Sequence, residues 1–276
     1  MDSTSKHVEV EGLRIHYVEA GEGDPVLLLH GWPTSSFLYR NILPHLAPTH
    51  RAIAVDLPGF GGSDKPLDAS YSFRFFDRVL SGFLDALELP AVGLVVHDLG
   101  GPLGLHWAVG NPSRVSRLCL LNTLVYPKMS WAVMAFVAGS YVPGLRFLLA
   151  SPWGLRKAME MGTRRRGAVT DEVAAGVQAP FVESAARKAL LKSVHGLHPK
   201  GMETIAAGLP TLNVPTRIIY GTGDRILPDV ARTMAQVAKD MKLPDDAVTA
   251  LPDCGHFLQE DAPDEVGRLL AGFFAP

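Results

Sequence analysis

Short, strongly apolar runs separated by stretches of helix length constrain this chain more than any other feature. Residues 26–29 (Val-Leu-Leu-Leu), 52–55 (Ala-Ile-Ala-Val) and 92–96 (Val-Gly-Leu-Val-Val) carry no polar side chain, and residues 115–121 and 216–220 end in similar runs. A strand that is apolar at consecutive positions is covered on both faces, as in a parallel sheet. The segments between the runs are long enough for the covering helices, so the pattern predicts an α/β fold with a mainly parallel sheet. Helices are expected over residues 73–89, from the glycines at 100–101 to 111, and over about 263–273. Residues 13–17 alternate like an early, half-exposed strand.

Between residues 122 and 213 this rhythm stops. The stretch is rich in Ala, Met and Leu and shows no strand pattern, so it reads as a helical insertion over the carboxyl ends of the strands, where open α/β sheets bind ligands. The expected division is a core of residues 1–123 and 213–276 with a helical cap of residues 124–212. Arg164-Arg165-Arg166 reads as a solvated helix face. Residues 131–155 approach the length of a membrane span, but Pro143, Gly144 and Arg146 interrupt them. A broken, charged centre is costly in lipid; two short buried helices joined at residues 142–144 are expected instead.

The 276 residues allow one large domain or two modest ones. With 47% hydrophobic and 20% charged residues the chain is globular in composition. Its net charge of −2 gives no footprint for nucleic acid or an anionic membrane. The charge argues only for solubility and a small uncharged partner, with monomer and homodimer both open. Two cysteines make no disulfide framework, and residues 1–6 lack the apolar core of a signal peptide. The expected compartment is the cytoplasm.

The chemistry centres on Val95-Val96-His97-Asp98-Leu99-Gly100-Gly101, a strand, a sharp turn and a helix start. That is the context of a nucleophile elbow, in which one side chain is exposed at the apex. Here the apex is Asp98. A carboxylate is ionised at neutral pH and needs no base to attack an sp3 carbon, but the ester it forms needs a base to activate water. Aspartates are also common as turn residues and helix caps, so the local sequence leaves that alternative open.

Two further loops bear on the choice. Asp224 follows the run 216–220 in Gly221-Thr222-Gly223-Asp224, and His256 lies in Asp253-Cys254-Gly255-His256-Phe257 before the last helix. Either could be an ordinary loop residue, His256 being one of ten histidines. Together they give the order nucleophile, acid, histidine found in α/β-hydrolases. Asp224 would then orient His256 and stabilise its protonated form. His30-Gly31-Trp32-Pro33 follows the run 26–29, so the backbone N–H groups of Trp32 and Leu99 are the expected oxyanion donors. No metal cluster, nucleotide loop or cofactor motif appears, and no cofactor is expected.

With these residues the chain resembles the haloalkane dehalogenase and epoxide hydrolase branch of the α/β-hydrolase fold, over residues 8–123 and 213–274. The likeness is carried by residues 30–41 (beginning His-Gly-Trp-Pro), by Gly59-Phe60-Gly61-Gly62-Ser63-Asp64-Lys65-Pro66, and by Gly255-His256-Phe257-Leu258-Gln259-Glu260-Asp261. Val96, two before the nucleophile, is similar to dehalogenases, where epoxide hydrolases usually carry Gly. The resemblance implies a three-layer α/β-hydrolase fold with a helical cap and cleavage of carbon–halogen bonds, with epoxide opening as the alternative. A protein that binds an apolar ligand without turnover is a second alternative, against which the full triad speaks.

The chain departs from the family at two places. Leu99 stands where dehalogenases of this group carry a halide-holding Trp, and Trp32 stands where many relatives carry a donor Asn. The epoxide reading implies two cap tyrosines, and only Tyr141 lies between residues 127 and 216, with Tyr126 at the entry. Trp32, Tyr126, Trp131, Tyr141, Trp153 and Phe257 are therefore the expected lining of the pocket.

Overall fold

The computed structural model describes residues 3–275. Its centre is an eight-stranded sheet made of β1 (Thr4–Val10), β2 (Leu13–Ala20), β3 (Asp24–Leu29), β4 (His50–Val55), β5 (Val92–Asp98), β6 (Val115–Thr123), β7 (Thr216–Gly221) and β8 (Val248–Leu251). The spatial order is β1-β2-β4-β3-β5-β6-β7-β8. From β4 to β8 every pairing is parallel, and β2 alone runs opposite to the other seven strands.

The apolar runs behave as their composition requires. All seven residues of β5 are buried. Leu27, Leu29, Leu94, Val96, Leu118, Leu120 and Ile218 enter one core, with side chains of the helices Phe73–Ala86, Gly100–Gly110 and Val230–Asp240. Their strand neighbours Val26, Leu28, Val95, Cys119, Leu121 and Ile219 enter the other, with the helices Leu43–Leu46 and Pro263–Phe274. Alternate side chains of a strand point to opposite faces, so the two cores make this a three-layer α/β fold. Cys119 and Cys254 are buried free thiols.

Two strands escape the sequence pattern. β1 is exposed at most positions and β8 is buried only at Leu251. Both are edge strands, which face less core and need fewer apolar residues.

Between β6 and β7 lie the helices Trp131–Tyr141, Pro143–Leu149, Pro152–Gly162, Asp171–Gln178, Ser184–His195 and Pro199–Gly208. Ser130, Ser151 and Thr170 cap three of them by accepting backbone N–H bonds. Pro occupies the first helical position of three, where its missing N–H costs nothing. The first two helices meet at a bend of 114°, and among the described residues no single helix is long and apolar enough to cross a membrane.

Two expectations need correction here. The helices either side of Val142 are not buried, for residues 141–148 are all exposed. The bend at Val142–Pro143 leaves this corner facing solvent. Arg164, Arg165 and Arg166 are exposed but lie in a loop, not on a helix. The buried Asp261 carboxylate fixes that loop by accepting from the N–H groups of Arg164 and Arg165, and it also accepts from Gly255. One carboxylate thus ties the helical insertion to the loop that carries His256.

Candidate active site

The site forms where the strand order reverses. β4 lies on one side of β3 and β5 on the other, so the loops leaving β3 and β5 diverge and open a crevice at their carboxyl ends. Asp98 ends β5 and Trp32 follows β3. Asp98 has a φ of +46°, in the left-handed region that costs a non-glycine residue about 1–3 kcal/mol. Thr123 Oγ donates to the Asp98 carbonyl at 2.7 Å and braces the turn. Gly31 runs so close that a Cβ there would overlap the Asp98 carboxylate, and one at Gly101 would overlap Thr123. These approaches explain the glycines better than turn propensity does.

The structure brings Asp98, Asp224 and His256 together. Asp224 Oδ2 lies 2.8 Å from His256 Nδ1, and His256 Nε2 faces Asp98 Oδ1 at 3.5 Å, longer than an ordinary hydrogen bond. The Trp32 N–H donates to Asp98 Oδ2 at 2.7 Å. Asp98 is 8% exposed and His256 is fully buried.

Three participants carry no motif of their own. Asn122, buried at the end of β6, donates to Asp224 Oδ2 at 2.8 Å and accepts from the Gly221 N–H at 2.8 Å. The amides of Ile226 and Leu227 hold the other Asp224 oxygen. His97 Nε2 donates to the His256 carbonyl at 2.9 Å, its ring beside the His256 ring. Phe136, on the helix Trp131–Tyr141, meets the Trp32 ring edge-to-face at 4.6 Å. A polar residue closing an apolar strand was the only available signal for Asn122, and helical spacing alone gives none for Phe136.

The expected pocket residues divide. Trp32 and Phe257 belong to the site: the Trp32 indole N–H is buried without a partner, and the Phe257 ring packs on His256 at 4.9 Å. Tyr126 does not serve as a free donor, because its hydroxyl donates to Asp240 at 2.7 Å. Trp131, Tyr141 and Trp153 are 72%, 59% and 58% exposed and lie on the outside of the insertion. They are not pocket walls, because the helices that carry them turn those faces to solvent. Two open clefts, one beside the β1–β2 end and one within the insertion, are lined by none of the site residues.

Charge at the site follows from its closure. Burial opposes ionisation of Asp98, but the charge of His256 facing it at 3.5 Å holds its carboxyl below the usual range. Asp224 is likewise held low against burial by His256, the Leu227 amide and Asn122. Burial alone would lower His256, yet Asp224 and Asp98 together push it up to about 10. His97 is driven down to about 3 by burial and by the neighbouring His256 charge, so it stays neutral. The resting site at neutral pH is an imidazolium between two carboxylates.

The signs set two pH limits on stability. The raised His256 stabilises the fold below the ordinary histidine value of 6.5, a contribution lost as pH rises through about 10. The depressed carboxyls stabilise it above the ordinary value of 3.8, a contribution lost on further acidification. Asp98→Asn removes one of the two charges holding the proton on His256. Its imidazole resonances are expected to titrate at lower pH than in the wild type, measured by 1H–15N NMR. An unchanged titration would place the origin of the shift elsewhere.

An eight-stranded, mainly parallel sheet with a strained acidic apex after β5 and an acid–histidine pair on later loops defines an α/β-hydrolase. A sequence model described as the alpha/beta hydrolase fold matches residues 24–152. Haloalkane dehalogenase 2 of Mycobacterium tuberculosis is 33% identical over 269 residues, covering 93% of this chain and 90% of its own. The cis-3-alkyl-4-alkyloxetan-2-one decarboxylase of Shewanella oneidensis is 32% identical, covering 92% and 83%. The crystal structure of haloalkane dehalogenase DbeA from Bradyrhizobium elkani superposes with a TM-score of 0.87 at 29% identity, over 99% of this chain and 98% of that one. The epoxide hydrolase CorEH gives 0.85 at 27% identity, over 100% and 99%. The chain belongs to the α/β-hydrolase fold family, in the branch of haloalkane dehalogenases and epoxide hydrolases, and is an enzyme of that class.

Proposed function

We propose that the enzyme cleaves a carbon–halogen bond in a small apolar substrate through an ester on Asp98. The observation that carries this reading is the Asp98 carboxylate itself, ionised at a strained apex with Oδ2 held by the Trp32 amide and Oδ1 turned toward His256. Oδ1 attacks the carbon and the halide leaves with the bonding pair. Oδ2 becomes the ester carbonyl, already seated against the Trp32 amide, which together with the Leu99 amide stabilises the oxyanion in the next step. Alkylation removes the Asp98 charge, which lowers the proton affinity of His256, so the proton it held passes to solvent to balance the departing halide and the neutral imidazole can act as a base. Water, losing its proton to His256, then attacks the carboxyl carbon. The intermediate collapses, the leaving oxygen, the original Oδ1, takes the proton that the added water oxygen still carried, and the Asp98 carboxylate is restored while Asp224 stabilises the imidazolium.

The unpaired Trp32 indole N–H supports a departing anion, since it is a buried donor without a protein acceptor. The helical segment of residues 124–212 serves as the cap in this reading, supported by Phe136 against Trp32 and by Met159, Val173 and Val177 packed with Phe257. Ring opening of an epoxide draws less support, because Tyr126 is engaged and Tyr141 faces solvent. Leu99, with no donor, favours a second reading, a substrate that releases no halide, such as the oxetan-2-one in the name of the Shewanella relative.

Single turnover of a short bromoalkane in 18O-water tests the leading reading. The expected result is bromide, unlabelled alcohol and one labelled oxygen in the peptide carrying Asp98. Labelled alcohol with unlabelled Asp98 would mean direct attack by water. No bromide, with diol from styrene oxide or alkene and carbon dioxide from an oxetan-2-one, would replace the halide by that substrate.

A further inference from the structure

One corner of the helical insertion is out of keeping with a surface that meets only water. The helix Trp131–Tyr141 (Trp-Ala-Val-Met-Ala-Phe-Val-Ala-Gly-Ser-Tyr) is apolar almost all round, a pattern that belongs to helices covered on every side. Its inner face sets Phe136 against Trp32 at the active site. Its outer face leaves Trp131, Met134 and Tyr141 exposed. After the 114° bend the next helix adds Val142, Leu145, Phe147 and Leu148 to the same exposed run. Tryptophan, tyrosine, phenylalanine and leucine on a projecting helical corner form the side-chain set of an interfacial anchor.

A second observation lies beside this corner. A cleft of about 260 Å³ is bounded by Arg146, Arg187, Lys188, Lys192 and His195, over an apolar floor of Phe147, Ala150 and Leu191. No carboxylate lines it. Among the described residues none of Arg146, Arg187, Lys188 and Lys192 makes an ion pair. Neutral groups hold the cleft in shape instead. Arg187 donates to the Phe181 and Val182 carbonyls and Lys192 to the Leu67 carbonyl. His195 bonds Ser140 at 2.7 Å and stacks on Tyr141 at 4.0 Å. Cations gathered without counter-charge beside exposed aromatic side chains call for an anionic, amphiphilic partner. A second copy fits poorly, because a two-fold contact would set the same cations against each other.

We propose that this corner docks on an anionic lipid surface, with the apolar side chains of residues 141–148 at the acyl boundary and a headgroup phosphate in the cleft of Arg146, Arg187, Lys188 and Lys192. The contact lies on the surface and needs no spanning helix. It therefore differs from the membrane span that the interrupted sequence argued against, and it draws on local charge rather than the net charge of −2. It would bring the helix that touches Trp32 to a phase in which apolar substrates concentrate.

The test is co-sedimentation with phosphatidylcholine vesicles, with and without phosphatidylglycerol. The wild type is expected to pellet with the mixed vesicles and to be released by salt. Lys188→Ala should weaken partitioning about fivefold, the value of one basic side chain at an anionic surface. Phe147→Asp should weaken it about tenfold or more by setting a charge in the acyl boundary. Both side chains are at the surface, so wild-type melting temperatures are expected. Equal binding to both vesicle types, no binding to either, or variants that bind like the wild type would overturn the proposal. So would a wild-type dimer that Phe147→Asp converts to monomer.

Discussion

Asp98→Asn is expected to lower kcat by about ten-thousand-fold or more, with the fold intact, as loss of a nucleophile does in other covalent hydrolases. The amide is close in shape to the carboxylate, and Asn tolerates the left-handed backbone that Asp98 adopts at φ +46°. Its oxygen can still accept the Trp32 N–H that now reaches Oδ2 at 2.7 Å. What disappears is the ionised oxygen that forms the bond to carbon. The measurement is halide release from a short bromoalkane, with a melting curve for the fold. Activity within tenfold of the wild type would remove Asp98 from the role of nucleophile.

His256→Ala is expected to separate the two chemical steps. Attack by Asp98 needs no base, so about one equivalent of leaving group should appear per enzyme. Hydrolysis of the ester then slows by about a hundred- to ten-thousand-fold, the usual contribution of a general base. The alkyl-enzyme accumulates and shows in the mass spectrum as an added substituent on the peptide carrying Asp98. Asp224 stays hydrogen-bonded by Asn122, Ile226 and Leu227 without the histidine, so the loop after β7 is not left with an orphaned charge. His256→Gln, which fills more of the space, should trap the same species. Steady turnover at the wild-type rate with no adduct would exclude His256 as the base.

Much of this site was legible because its chemistry sits at strand ends. Apolar runs announced β3, β5, β6 and β7, and the polar residues just past them, Asp98 and Asp224, stood out against them. Why glycine stands at 31, 100 and 101 was not legible: only the structure shows the backbone there passing close to Asp98, His30 and Thr123. Asn122 was missed because one amide after Leu121 looks like any loop polar group until Gly221 and Asp224 are placed beside it. His97 was overlooked for a similar reason: its partner, the His256 carbonyl, lies 159 residues away.

The reading of the insertion erred more. An apolar residue in a helix tells how much surface wants cover, but not which neighbour supplies it. Trp131, Tyr141 and Trp153 looked like pocket walls and proved to face outward, whereas Phe136, on the same helix as Trp131, reaches the site. The direction of each face depends on the 114° bend and on how the insertion settles over the sheet, which involve contacts far apart in sequence.

The sequence by itself determined the parallel sheet, the acidic apex after β5 and the order of acid and histidine behind it. These follow from side-chain period, turn chemistry and charge, which act within a few residues. Only the tertiary structure decided the strand order that opens a crevice between the ends of β3 and β5. It also decided the placing of His256 between two carboxylates, which hold its proton against burial, and the outward turn of the aromatic corner. The physical reason is range. Burial, packing direction and electrostatic coupling are properties of what lies across the fold, and no local window of sequence contains them.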